Sequence, residues 1–161
     1  MESLGIDSVN LGLPGAGPRA KADVLRLAQE IVSSKMRLRA NCAARTVKSD
    51  IEPIADIVQA TGLDIEAATF LGSSPIRQYA ENWTLDFLQE TTERAVTFAR
   101  GLGLRVMYVT EDTTRSRPAA IQSCTPRPSN LGPAPLWFAT RWATSRRAAF
   151  VPCCILFSRM S

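Results

Sequence analysis

At 161 residues the chain has room for one domain with a real core, and 45% hydrophobic with 21% charged residues is a globular rather than a disordered balance. It holds no histidine, so imidazole is excluded here as general base, triad member or metal ligand. The formal charge of +4 is unevenly spread: residues 1–117 carry all fifteen acids against fourteen Lys plus Arg, whereas residues 118–161 carry five arginines and no acid. The basic pI near 9.2 therefore arises in the C-terminal part and does not mark a nucleic-acid face.

Cysteine is equally uneven, with Cys42 alone in the first part and Cys124, Cys153 and Cys154 in the second, at no spacing typical of a disulfide framework or a zinc site. The start, MESLGIDSV, is neither basic nor apolar enough for a targeting segment. The longest apolar run, residues 150–157, is short and broken by Pro152, so no membrane span is expected and a cytoplasmic setting is the default.

Taken in order, three segments open with a glycine and then an aliphatic residue: Gly5-Ile6-Asp7-Ser8-Val9, Gly62-Leu63-Asp64-Ile65-Glu66 and Gly103-Leu104-Arg105-Val106-Met107. Glycine just beyond a helix takes the left-handed cap at little cost, so each reads as a helix end followed by a strand. Residues 36–44 form a further strand candidate without the glycine. Between the strands lie helical stripes. Residues 22–33 put Val24, Leu27, Ala28, Ile31 and Val32 on one face; residues 51–60 do so with Ile51, Ile54, Ala55 and Val58 behind an Asp50 cap; residues 84–100 do so with Leu85, Leu88, Thr92, Ala95, Val96 and Ala99.

The order strand, helix, strand, helix, strand, helix, strand, at spacings of roughly thirty to forty residues, is that of βα units with parallel strands. An α/β barrel and an open doubly wound sheet both fit it. Gly12, Gly15 and Gly17 follow the first strand, but Pro14 and Pro18 interrupt a dinucleotide fingerprint, which weighs against nucleotide binding. After Pro118 the rhythm fails. Residues 119–161 hold two of three tryptophans and five of ten prolines and no amphipathic stretch long enough for another unit, and read as an irregular tail of the kind produced by an altered reading frame.

Sites in α/β folds are built on the loops that follow the carboxyl ends of the strands. Four such loops stand out. Residues 11–19, LGLPGAGPR, could let backbone approach a ligand closely or be a plain glycine and proline loop. Arg45, where strand yields to polar loop, suits a carboxylate clamp, or else pairs locally with Asp50. The stretch TFLGSSPIRQY, residues 69–79, gathers hydroxyls with Arg77, and one of Ser73 and Ser74 could merely cap the next helix. The last loop, TEDTTRS, residues 110–116, sets Glu111 beside Asp112; adjacent carboxylates on a strand point to opposite sides, so one faces the mouth while the other serves the loop or Arg115.

With these loops read, the sequence resembles an internal part of the 2-isopropylmalate synthase and homocitrate synthase family, the pyruvate-carboxyltransferase barrels related to 3-hydroxy-3-methylglutaryl-CoA lyase. The residues that carry the likeness are RTVKSDI at 45–51, TFLGSSP at 69–75 and TEDTTRS at 110–116. The resemblance implies a partial (β/α)8 barrel over residues 1–118, about four βα units, with residues 119–161 as a separate tail. It implies enzymes that condense acetyl-CoA with a 2-oxo acid, using a divalent metal and serving amino-acid biosynthesis. By the same resemblance Arg45, Ser74, Arg77 and Thr110 would contact substrate and Glu111 would act in catalysis. The first barrel strand with its metal-binding aspartate, and the later His-x-His pair, have no counterpart in the chain, so no bound metal and no activity of the chain alone are expected. A non-catalytic fragment that pairs with itself or with a full-length relative is the competing reading.

Overall fold

The computed structural model describes residues 4–117 and 120–121, together with the backbone of residues 137–141. Its strands are β1 (Ser8–Asn10), β2 (Arg39–Arg45), β3 (Ile65–Gly72), β4 (Arg105–Glu111) and β5 (Trp137–Arg141), and its helices are α1 (Pro18–Ser33), α2 (Lys48–Thr61), α3 (Pro75–Glu81) and α4 (Leu85–Gly101). The five strands form one sheet in the order β1-β2-β3-β4-β5, and every neighbouring pair is parallel. A doubly wound sheet reverses its strand order at a switch point, and the described strands contain no such reversal.

One face of this sheet is the core. The alternating residues Ala40, Cys42 and Ala44 of β2, Ile65 and Ala67 of β3 and Val106 of β4 are buried together with Val24, Ala28 and Ile31 of α1, Ile51, Ile54, Ala55 and Ile57 of α2, and Ala95, Val96 and Ala99 of α4. All three long helices therefore lie on the same side. A second apolar group, Leu71, Leu88 and Tyr108 with Trp83 against it, continues the core toward the carboxyl edge, where Thr92 donates to the Tyr108 hydroxyl at 3.3 Å. The other face presents Asn41, Ala43, Ala68, Phe70, Met107 and Val109, none of which joins either apolar group. The period of two along each strand makes this division.

The helical stripes are real but narrower than the sequence suggests. In α1, Leu27 and Val32 are 49% and 44% exposed, because that helix packs on the loop after β1 and on α2 alone among the described helices, which leaves its far flank open. Leu85 at the start of α4 is exposed as well. α3 is an element that the apolar periodicity does not reveal, since it buries none of its residues. One further strand lies beyond the four expected units: the backbone of residues 137–141 adds to β4 in parallel, with Met107 opposite Trp137 and Glu111 opposite Arg141. Nothing in the composition of a five-residue stretch announces that pairing, because it is made by the exposed hydrogen-bonding edge of β4. The remaining residues of 119–161, apart from 120–121, lie outside the described part.

The glycine signals hold in detail. Gly5, Gly62 and Gly103 have φ of 73°, 70° and 78°, and Gly62 closes α2 with its N–H donating to the Val58 carbonyl at 2.8 Å. Where the strand opening lacks glycine, Lys35 itself takes the left-handed conformation, φ 50°, after α1. Its N–H donates to the Val32 carbonyl, and that of Met36 to the Ile31 carbonyl. A residue with a Cβ is strained there. Lys35→Gly should accordingly raise stability by roughly 0.5–1 kcal/mol, read as a higher urea midpoint with an unchanged slope.

Candidate functional site

The parallel register brings the ends of β2, β3 and β4 to one edge: Arg45 is opposite Phe70, Leu71 opposite Thr110 and Gly72 opposite Glu111. Arg45 is the last residue of β2. Its Nε donates to Asp50 Oδ2 at 2.7 Å and its Nη2 to Oδ1 at 2.9 Å, while its backbone N–H donates to Oδ2 at 3.1 Å. This is the bidentate geometry in which a guanidinium is strongest. Asp50 is fully buried and the Arg45 side chain is 59% exposed. Burial alone pushes the Asp50 carboxyl up, but the hydrogen bonds and charge of Arg45 outweigh it and hold the group below the usual carboxylate range.

Asp50 was expected to cap α2 and does not. The helix starts after Val47, without a side-chain cap, and Asp50 sits in its first turn with its carboxylate turned to Arg45. A negative charge in the first turn still suits the helix dipole. The glycine loop after β1 meets the same residue. A Cβ on Gly15 would come within 2.6 Å of Asp50 Cα and 2.7 Å of its Cγ and Oδ1. The close backbone approach foreseen for this loop is therefore made to Asp50, inside the protein.

At the end of β3, Ser73 and Ser74 are buried. The Ser73 hydroxyl lies 2.8 Å from that of Ser116, and the Ser73 carbonyl accepts from Gln78 Nε2 at 2.8 Å. Ser74 is the cap of α3, accepting from the Arg77 N–H at 3.4 Å. Arg77 pairs with Glu81 at 3.1 Å and stands 5.7 Å over the Trp83 ring, and its side chain fills the space where Gly72 has no Cβ. Arg77 thus follows the outer surface of α3.

β4 ends in Thr110 and Glu111, then turns at Asp112, φ 57°. Thr110 shares the helix-side face with Val106 and Tyr108; it is buried, and its hydroxyl lies 2.6 Å from that of Thr113. Glu111, one residue on, alternates to the open face and is half-buried. Asp112 serves the loop, with Arg115 at 3.5 Å. Along this edge Ser73 meets the Ser116 hydroxyl and donates its N–H to the Glu111 carbonyl at 3.5 Å, while Arg45 is bonded to Asp50, Ser74 caps α3, and Thr110 and Arg77 turn to Thr113 and Glu81. Ser116 and Gln78 were not singled out from the sequence, because their role depends on a contact across the two loops.

One acid on the open face was missed altogether. Glu66, near the amino end of β3, is 9% exposed, and burial raises its carboxyl above the ordinary range in spite of Arg105 and Arg39 nearby, with Asp64 adding to the rise. Among the described residues no group of three His, Cys, Asp or Glu could hold a metal ion, and no helix is long and apolar enough to cross a membrane.

A sequentially wound parallel α/β sheet with a polar carboxyl edge is the class of protein that these features define. No family model matches the chain. It is similar to the homocitrate synthase of Pyrococcus abyssi (strain GE5 / Orsay), 28% identical over 116 residues, which is 72% of this chain and 30% of that protein. The chain thus spans less than a third of the length of that relative, and the likeness supports a related synthase family.

Two measurements check the clamp. Gly15→Ala should cost roughly 1–3 kcal/mol, because the new methyl overlaps Asp50 and must displace it or the loop; chemical denaturation reads the loss. The pH dependence separates Asp50 from Glu66. For Asp50 the unfolded chain takes up the proton first, so the stability it contributes is complete above the ordinary value of about 3.9 and is lost as pH falls through the lower folded value. For Glu66 the folded chain holds the proton more tightly, so its contribution is complete below about 4.3 and is lost as pH rises through the raised folded value. Asp50→Asn should lower the melting temperature at neutral pH and flatten its acid limb. Glu66→Gln should raise the melting temperature at neutral pH, with the gain shrinking toward mildly acid pH.

Proposed function

We propose that this chain is a portion of an acyl-transferring synthase of the homocitrate synthase and 2-isopropylmalate synthase type, and that its sheet is a section of a (β/α)8 barrel. The observation that carries this reading is the placement of Arg45, Ser74 and Glu111 at or just beyond the carboxyl ends of three successive strands of a sequentially wound sheet, in the three stretches that resemble the family. The similarity to a homocitrate synthase over most of the chain supports it.

In this reading the edge binds a 2-oxo acid. Arg45 is held in a fixed orientation by Asp50, and its Nη1 amino group remains to meet a substrate carboxylate. The buried Ser73 and Ser74 set the hydroxyl-rich wall. Glu111, on the open face, holds or orients a proton near the reacting carbonyl, and Thr110 positions its strand end through Thr113. Enzymes of this type join the methyl carbon of acetyl-CoA to the ketone of the oxo acid with a divalent metal as electrophile. The described residues do not make up a set that fits such a metal, so no step is assigned to one.

The expected behaviour is binding without turnover. Ligand-observed NMR on the purified chain should show 2-oxo acids binding, weakened roughly tenfold or more by Arg45→Ala, a loss of about 1.4 kcal/mol or more, while acetyl-CoA with 2-oxo acids and magnesium releases no thiol. Failure of every 2-oxo acid to bind would overturn the substrate assignment. Sustained thiol release would overturn the assignment of inactivity.

A further inference from the structure

The outer flank of α1 carries a charge pattern that no described residue answers. Arg19, Asp23, Arg26 and Glu30 recur at i, i+4, i+7 and i+11, which places them in one stripe along the helix. All four are exposed. Lys21, on the opposite flank, pairs with Asp56 of α2, so the stripe faces away from that neighbour. Among the described residues none of the four has an ion-pair partner, and Glu30 accepts from the Ser34 hydroxyl at 2.7 Å. Within the helix each arginine precedes an acid by four residues, the less favourable order for such a pair. Leu27, 49% exposed, lies between the stripe and the buried face, and a depression of about 660 Å³ lined by Asp23, Arg26, Leu27, Gln29, Glu30 and Ser33 follows the same flank. We propose that this stripe is the interface for a second copy of the chain, the two α1 helices packing antiparallel about a twofold axis.

The pattern itself selects this occupant. The spacings four, three and four read alike from either end, while the signs run plus, minus, plus, minus. Laying the stripe against its own copy in the opposite direction therefore sets Arg19 against the partner's Glu30 and Asp23 against the partner's Arg26, and the twofold axis makes each contact twice. Every charge then meets its opposite. Two copies laid parallel in register set like against like instead, so the charges also fix the direction of packing. Covering Leu27 adds an apolar contact beside the ion pairs. Exposed ion pairs are individually weak and screened by salt, so the dimer is a weak and salt-sensitive one. The surface belongs to the helix layer on the β1 side of the sheet, away from the carboxyl ends of β2, β3 and β4, and the inference does not depend on the proposed substrate or reaction.

Analytical ultracentrifugation of the full chain tests it, with far-UV circular dichroism showing that each variant is folded. The chain should form a dimer whose dissociation constant rises at least about fivefold between about 0.05 M and about 0.5 M sodium chloride. Asp23→Arg and Arg26→Asp should each weaken the dimer at least about tenfold, because every reversal is felt at two symmetric contacts. An equimolar mixture of these two variants should dimerise again, since each altered side chain then meets its opposite. Arg19→Glu mixed with Glu30→Arg is the second pair, used should either of the first variants lose its helical signal. A folded chain that stays monomeric at about 100 µM would overturn the proposal. So would a dimer indifferent to the single reversals, which places the contact elsewhere. Single reversals that give monomers whose mixture also stays monomeric would overturn it as well, because the charges then act within one helix and not between two.

Discussion

The structure around the carboxyl edge depends on one buried carboxylate. Asp50 is out of solvent and accepts from the side chain and the backbone of Arg45, so the end of β2 and the first turn of α2 are locked to each other. The loop after β1 closes on the same group, because Gly15 lies where no side chain fits beside Asp50. A buried charge of this kind is tolerated only when its partners are well placed. Two consecutive elements and a loop from much earlier in the chain thus meet at a single residue, and the orientation of Arg45 toward the edge follows from that meeting.

The second constraint is that the helices occupy one side. Small residues make this close: β2 and β3 present Ala40, Cys42, Ala44 and Ala67 to the helix layer, and the larger Ile51, Ile54 and Ile57 of α2 fill the space. The opposite face is left with a different chemistry, apolar in the middle and charged at both ends. In a parallel sheet both faces are normally covered. The carboxyl edge, lying between the core and this second face, is where the polar side chains can converge without crossing the core.

Much of the fold is legible along the chain. Gly62 and Gly103 mark helix ends that the structure places at left-handed backbone, and the stripes of α2 and α4 are buried nearly as their periodicity implies. Thr84 accepts from the Phe87 N–H as an ordinary cap. The site is less legible. Arg45 and Asp50 were both visible as candidates, but a short separation suits a local pair and a substrate clamp equally, and only the burial of Asp50 decides that the pair forms. Thr110 and Glu111 differ by a single step along β4, and the face each takes is set by the register with β3. Ser116 becomes relevant through a hydroxyl contact across forty-three positions of sequence.

What the sequence by itself determined is what local chemistry controls: a repeating strand and helix rhythm, helix ends at glycine, a carboxyl edge rich in polar residues and the absence of any imidazole. The tertiary structure alone decided the rest. The strand order that puts the three long helices on one side, the addition of β5, the burial of Asp50 and Glu66, and the contact of Ser73 with Ser116 result from surfaces brought together from different parts of the chain. Burial and hydrogen bonding across the sheet have no signature in a local window, because their energy depends on which surfaces meet after the chain has folded.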